Sequence, residues 1–286
     1  MLSRLKRIAT AWRRLSALEA RVAAAIKQHE ALAKRVDDHA RQLEVRTVMD
    51  WIERAAVHTR PLVSVVLPTR NRSALLQRAI ASVERQTYPH WELLIVDDGS
   101  TDGTQAFLAA LGNPRIRHFR ADGVGAGAAR NVALAEARGE LVAYLDDDNI
   151  MMPNWLKSIV WGFEQRPGSK ILYGAIVVDD LSRIDRKGSG QMPRLFYWPY
   201  DHHAVARHNI ADIGCIAHRA GLPEARFDPD LREMADWDLF LRLTRDAPPL
   251  ALPAIACMYT TEAPNRLSHG PTHERDKALV RKRNLR

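Results

Sequence analysis

Cysteine is scarce in this chain of 286 residues: only Cys215 and Cys257 occur, far apart and without C-x-x-C spacing. That excludes a disulfide framework and a thiolate zinc site, and it suits a reducing cytoplasm. Long apolar runs are also missing. The longest, such as LALPAIACMY at 250–259, fall short of the ~20 residues that span a bilayer, and the start lacks the apolar core of a signal peptide. A soluble chain is expected. Neither a zinc-finger spacing nor an RNP-type motif is present, which argues against nucleic acid despite a formal charge of +8 and a pI of 9.8. Residues 1–58 are net +5 and the last eight residues add +4, so the body between them is about −1. A basic arm and tail around a near-neutral body point to anionic lipid at the inner face of a membrane, or to a partner protein.

Proline and glycine are absent from residues 1–56, which are rich in Ala, Leu, Arg and Glu and read as one long helix. Leu15, Leu18, Val22, Ala25, Leu32, Val36 and Leu43 fall on an a/d seam that His29, His39 and Arg46 interrupt. Two readings stand: a helix packed on its own domain, or a coiled-coil stalk for a homo-oligomer. Five basic residues among Leu2, Leu5, Ile8 and Trp12 also suit a membrane-surface helix. The boundaries expected are a helical arm at 1–58, a main domain at 59–250 divided at 150, and a basic extension at 251–286.

What is present from Pro61 onward is alternation. Leu62–Leu67 form a β-rich run that stops at Pro68, followed by ALLQRAIASVERQ (helical), WELLIVDD (strand), GTQAFLAAL (helical), RIRHF (strand), AGAARNVALAEAR (helical) and ELVAYLD (strand). Such order specifies βαβ units: an α/β fold with a mostly parallel sheet flanked by helices. Ligands of these sheets lie beyond the carboxyl ends of the strands. Three strand ends read LPTRN, VDDGS and LDDDN, so polar groups collect on one edge.

Asp146, Asp147 and Asp148 repel one another, and where buried they need a compensating cation. Mg²⁺ or Mn²⁺ held by one or two carboxylates and substrate phosphate supplies one. The alternative is a solvated turn, which the apolar flanks Leu141–Leu145 and Ile150–Met152 disfavour. IVDDGSTDGT reads either as a βα turn or as a place where Asp98 accepts from a nucleobase. GVGAGAARN lacks dinucleotide-fold spacing; its small residues let a helix approach the sheet, with Arg130 and Asn131 in reach of a ligand. Asp236 opens an apolar helix, either as an N-cap or as a fixed base, with Trp237, Phe240, Leu241 and Leu243 on the inner face.

Together VSVVLPTRNR, LLIVDDGSTDGT, GAARNVAL, LDDDN…P…L and ADWDLFLRL resemble, in order and over about residues 61–245, the family 2 glycosyltransferases of the GT-A fold. The resemblance implies inverting transfer of a sugar from a nucleotide-diphosphate donor, with Mn²⁺ or Mg²⁺ as cofactor, to a cell-surface glycan or lipid-linked acceptor. It implies that Pro68, Thr69 and Asn71 line the nucleotide pocket, that Asp98 holds the base (uracil), and that Arg130 and Asp147 adjoin the donor. Asp146 and Asp148 match the D-x-D metal motif, Asp148 as direct ligand. Asp236 matches the catalytic base, and the resemblance offers His269 as a further metal or phosphate ligand. Asn149 stands where an additional Asp is common, and Ala235 replaces a frequent Glu. QMPRL at 191–195 lacks the Trp of the Q-x-x-R-W motif, which disfavours processive synthesis. YWPYDHHAVARHN is expected to shape the acceptor side. Two rivals remain: a sugar-phosphate nucleotidyltransferase, which would carry a Gly- and Arg-rich loop after the first strand, and a non-catalytic nucleotide-binding scaffold.

Overall fold

The structure is a computed structural model that describes residues 2–179, 194–260, 270 and 272–284, without the side chains of 2–11, 13 and 14. The chain forms two compact units, residues 1–44 and 45–286. The break at 44 differs from the boundary drawn at 58, and the second unit continues undivided through 150 and 250. Helix α1 runs Leu2–Arg54. Within the first unit it exposes Leu15, Leu18, Val22, Ile26, Leu32 and Val36. In the second unit its last turns bury Val45 and Ile52 in the main core. The last turns of α1 thus match the reading of a helix packed on its own domain.

The second unit is built on one sheet: β1 Val63–Thr69, β2 Trp91–Asp98, β3 Ile116–Ala121, β4 Leu141–Tyr144, β5 Ile150–Met151, β6 Ile171–Asp179, β7 Arg194–Phe196, β8 Ile216–Arg219 and β9 Leu250–Thr260. Its order is β3-β2-β1-β4-β8-β6-β9-β5, with β7 beside β6. The β3-β2-β1-β4 half is parallel, as the alternation requires. Beyond β4 the sheet is mixed: β8 pairs antiparallel with both β4 and β6, β7 with β6, and β5 with β9. β9 returns parallel to β6. β1 is buried along its whole length, and it passes through Pro68 instead of stopping there. Its pairing with β4 ends at Val66, so the missing Pro68 amide falls on a side no longer bonded to β4 while β2 stays paired to Thr69.

Helices α2 Ser73–Glu84, α3 Thr104–Ala109, α4 Ala126–Glu136 and α5 Trp155–Gln165 follow β1, β2, β3 and β5, and α6 His202–Val205, α7 Ala235–Leu243 and α8 His273–Asn284 complete the chain. Helix α5 buries an apolar stripe of Trp155, Leu156, Ile159, Val160 and Phe163. Because β1 lies between β2 and β4, the chain reverses direction across the sheet at β1, and the crevice opens beyond the ends of these strands. There the polar ends of β1, β2 and β4 meet.

Candidate active site

The site is assembled from three loops at those strand ends. After β1, Asn71 adopts a left-handed backbone (φ 53°), a conformation Asn tolerates better than most residues. Its amide donates to Ser100 Oγ at 2.8 Å, and its Oδ1 accepts from Thr101 N at 2.7 Å. The TRN and DDGST loops are thereby joined. At the end of β2, Asp98 is buried, and its two oxygens accept from Val124 N and Gly125 N at 2.7 and 2.8 Å. Gly123 and Gly125 take φ of 74° and 90°, which turns those amides toward the carboxylate at little cost. Asp98 therefore organises the glycine loop, and each oxygen keeps a second lone pair.

After β4 comes the aspartate run, and its compensation is visible. Buried Asp147 accepts from Thr69 Oγ1 at 2.7 Å and from Arg72 Nη1 at 2.8 Å; the same Nη1 donates to Asp148 at 3.0 Å. Asp146 pairs with Arg130, whose ring-stacked guanidinium lies 5.2 Å from Phe227. Burial pushes the Asp147 carboxyl up, and Arg72 and Thr69 offset only part of it. Burial also works against the Arg130 charge, but Asp146, Asp236 and Asp212 outweigh it and hold the guanidinium charged. Asn149 Oδ1 accepts from Thr260 N at 3.0 Å, so the residue standing where another Asp is common fastens the end of β9 to this loop.

Two adjoining cavities use these groups. The first, about 450 Å³, is lined by Pro68, Thr69, Asn71, Asp98, Arg130 and all three aspartates of the run. The second, about 570 Å³, holds Asp236 and Asp212, with Phe196 and Trp198 on its wall, and shares Arg130 and Asp146 with the first. Asp236 is the second residue of α7, not its N-cap, which is Met234. Its Oδ1 accepts from Trp237 N at 2.8 Å and its Oδ2 from Asn209 Nδ2 at 2.9 Å. Burial raises its affinity for a proton, which makes the ionised form the stronger base.

A family profile described as glycosyl transferase family 2 matches residues 64–218, more than half of the chain. The chain belongs to glycosyl transferase family 2. A relative described as a putative colanic acid biosynthesis glycosyl transferase, WcaA of Escherichia coli K12, is 35% identical over 64% of this chain and 66% of that protein. A second, the UDP-Glc:alpha-D-GlcNAc-diphosphoundecaprenol beta-1,3-glucosyltransferase WfgD of Escherichia coli, is 39% identical over 34% of this chain and 38% of its own length. The chain thus spans less than two thirds of the length of these relatives. Among solved structures, Staphylococcus aureus TarS with UDP-GlcNAc superposes with a TM-score of 0.62 at 20% identity, over 76% of this chain and 64% of that one. The mannosyltransferase PcManGT of Pyrobaculum calidifontis, with GDP-Man and Mn²⁺, gives 0.54 at 20% identity, over 86% and 70%. Both share the fold.

Against the family 2 pattern, the structure brings Pro68, Thr69, Asn71, Asp98, Arg130, Asp146, Asp147 and Asp148 to one cavity and Asp236 to the next. His269 and most of QMPRL lie outside the described residues. Asn131 does not face a ligand: both ends of its amide bind the Phe227 backbone, at 2.8 Å each. Gly127 opens room for Phe227, Asp228 and Leu231 instead of for the sheet. Sequence reasoning missed Arg72 and Asp212. TRNR ends on Arg72, but its partners lie more than seventy residues on; Asp212 carries no motif. It caps the short 3-10 turn Ile213–Cys215 through Gly214 N at 2.9 Å, and burial, with Asp146 and Asp236 nearby, pushes its carboxyl up to about 8.

Among the described residues no three His, Cys, Asp or Glu side chains cluster as a metal cage. The donor set still fits a hard divalent ion, because Asp146 and Asp148 bring carboxylate oxygens to the wall of the first cavity, and Mg²⁺ or Mn²⁺ needs one or two such ligands beside substrate phosphate.

Proposed function

We propose that this family 2 chain is an inverting glycosyltransferase. It takes a sugar from a nucleotide-diphosphate donor, a UDP-sugar, and passes it to a cell-surface glycan or lipid-linked acceptor. The observation that carries this reading is the shared wall: Arg130 and Asp146 border both the cavity of the nucleotide-type residues and the cavity of Asp236. The named activities of WcaA and WfgD and the UDP-GlcNAc bound by TarS support the choice of donor and acceptor class.

In this reading Pro68, Thr69 and Asn71 border the nucleoside, and Asp98 accepts from the base through its remaining lone pairs. Asp146 and Asp148 would hold a divalent ion, which would supply positive charge against the diphosphate. Arg130 and Arg72 place two fixed cations beside the same cavity, where the leaving diphosphate gains charge. Asp236 takes the proton of the acceptor hydroxyl. The hydroxyl oxygen bonds to the anomeric carbon as the carbon–oxygen bond to phosphate breaks, and the electron pair leaves on the nucleoside diphosphate. One carboxylate serves a single displacement, and attack from the face opposite the leaving group inverts the centre. Asn209 holds Asp236 from the acceptor side, where Trp198 offers a ring for sugar stacking.

The test is nucleoside diphosphate release from UDP-glucose, UDP-N-acetylglucosamine and GDP-mannose with Mn²⁺, with and without acceptor extracts. Asp236→Asn is expected to lower turnover by 10²–10⁴-fold with nucleotide binding retained, and Asp148→Ala to weaken metal-dependent binding. Pyrophosphate formation from sugar phosphate and nucleoside triphosphate would establish the nucleotidyltransferase instead; tight UDP binding without turnover would establish the scaffold.

The exposed seam of α1 supports a second element of the proposal, that the arm joins copies of the chain. Its basic first turns also suit an anionic membrane surface. Among the described residues no helix is long and apolar enough to cross a membrane.

A further inference from the structure

The last helix of the chain bears on the reaction proposed above, and the inference rests on that reading. Asp276, on α8, is completely buried, a setting that a carboxylate occupies when donors meet it, and here they meet one oxygen. The donors here are backbone amides: Arg232 N and Glu233 N give hydrogen bonds to Asp276 Oδ2 at 2.8 and 3.0 Å. The other oxygen is buried without a hydrogen bond among the described residues, with the Arg275 guanidinium 3.7 Å away. Those amides belong to the segment that runs straight into α7 and Asp236. The grip is returned by Glu233, whose carboxylate accepts from Gly270 N at 2.9 Å, Thr272 N at 3.0 Å and Thr272 Oγ1 at 2.6 Å. Each segment thus holds the backbone of the other. Further along α8, Asn284 Nδ2 donates to Asp238 Oδ1 at 2.8 Å, and Arg281 lies over the Trp237 ring at 5.9 Å. Arg232, Glu233 and His273 at this junction also line the cavity that contains Asp236.

We propose that Asp276 is a positioning residue for sugar transfer: by holding the amides of Arg232 and Glu233 it fixes the start of α7, and with it Asp236, against the wall shared with the donor cavity. The region read from sequence as a basic extension is then a part of the active centre. A shift of about 1 Å in a reacting group costs on the order of 10²-fold in rate, so a loosened α7 is enough to slow the reaction while the donor cavity, formed by other loops, stays intact.

The experiment compares the full-length wild type with Asp276→Ala, Asp276→Asn and Asp236→Asn, using the three nucleotide sugars above with Mn²⁺, and follows amide hydrogen exchange at 232–237 in the same samples. For Asp276→Ala, kcat per folded molecule is expected to fall about 10²-fold with donor KM within about twofold, and protection of the Arg232 and Glu233 amides to drop. Asp276→Asn keeps an oxygen that accepts both amides and is expected to restore most of kcat and of the protection. A folded Asp276→Ala protein with wild-type kcat, a loss seen equally in donor KM, or a loss that Asp276→Asn does not repair overturns the inference. Turnover that survives Asp236→Asn removes the base assignment itself, whereas a dead Asp236→Asn beside an active Asp276→Ala removes only the positioning role. If no donor turns over, unchanged exchange at 232–233 in Asp276→Ala overturns the clamp. If Asp276→Ala does not fold, Glu233→Gln weakens the reciprocal half and is judged by the same readings.

Discussion

Residue by residue, the site is a problem of charge in a half-buried place. Three consecutive aspartates require positive partners, and Arg72 and Arg130 supply two of them inside the protein. Removing one partner of a buried pair costs more than the pair contributes, because the remaining charge loses its compensation. Arg72→Ala is therefore expected to destabilise the fold by about 3–5 kcal/mol, read by urea unfolding; a loss below about 1 kcal/mol would show that Asp147 does not depend on it. Asp212 has the opposite balance. Its folded carboxyl is pushed from 3.8 to about 8, chiefly by burial. Between those values the unfolded chain has released this proton while the folded chain still binds it, so stability falls as pH rises through the window. Asp212→Asn cannot titrate, and its melting temperature in metal-free buffer is expected to exceed that of wild type at pH 8, with the gap closing toward pH 4. Each kcal/mol recovered corresponds to roughly 2–4 °C in a domain of this size. A gap that instead widens toward pH 4 would mean that the carboxylate is charged and paired.

Elements meet at close tolerances, among them the turn from α4 into β4, at the strand ends remote from the site. A Cβ on Gly139 would fall 2.7 Å from Leu62 O, Ser64 N and Ser64 Oγ, while Gly139 N itself donates to Ser64 Oγ at 2.9 Å. Since backbone cannot yield as a side-chain tip can, Gly139→Ala is expected to push β4 from β1 and cost about 1–3 kcal/mol, measured by denaturant unfolding; wild-type stability would show that the turn relaxes freely. The elements up to β4 were legible because each is a short run of one period between breakers, and WELLIVDD coincides with β2 at both ends. Pro68 misled the reading of β1 because its tolerance depends on where β4 stops pairing, which no local pattern encodes. The acceptor half was opaque for the same reason. Its antiparallel pairings, the bulges between β6 and β9 and the Asn131 bond to Phe227 all join residues distant in the chain. Motif residues were found, Arg72 and Asp276 were not, since the partners that define them come from other loops.

For the whole molecule, the decisive question is where the arm ends and the enzyme begins. Composition changes only at Pro61, but Val45 and Ile52 are 2% and 0% exposed within the second unit, so the apolar surface that the last turns of α1 cover belongs to its core. Full burial of each such side chain contributes about 1.5–3 kcal/mol. Deleting residues 1–44 is therefore expected to leave the melting temperature within a few degrees of wild type, whereas deletion through Arg54 removes both side chains and should lower it by about 6 °C or more. The same pair of deletions tests the seam. Of that seam, Leu15, Leu18, Val22, Leu32 and Val36 are each 47–60% exposed. If they join copies of the chain, removal of residues 1–44 reduces the sedimenting mass to one protomer while donor turnover per protomer persists. An unchanged mass would locate self-association in the second unit; a monomeric full-length chain that floats with anionic vesicles, and ceases to on the same deletion, would assign the helix to the lipid surface instead.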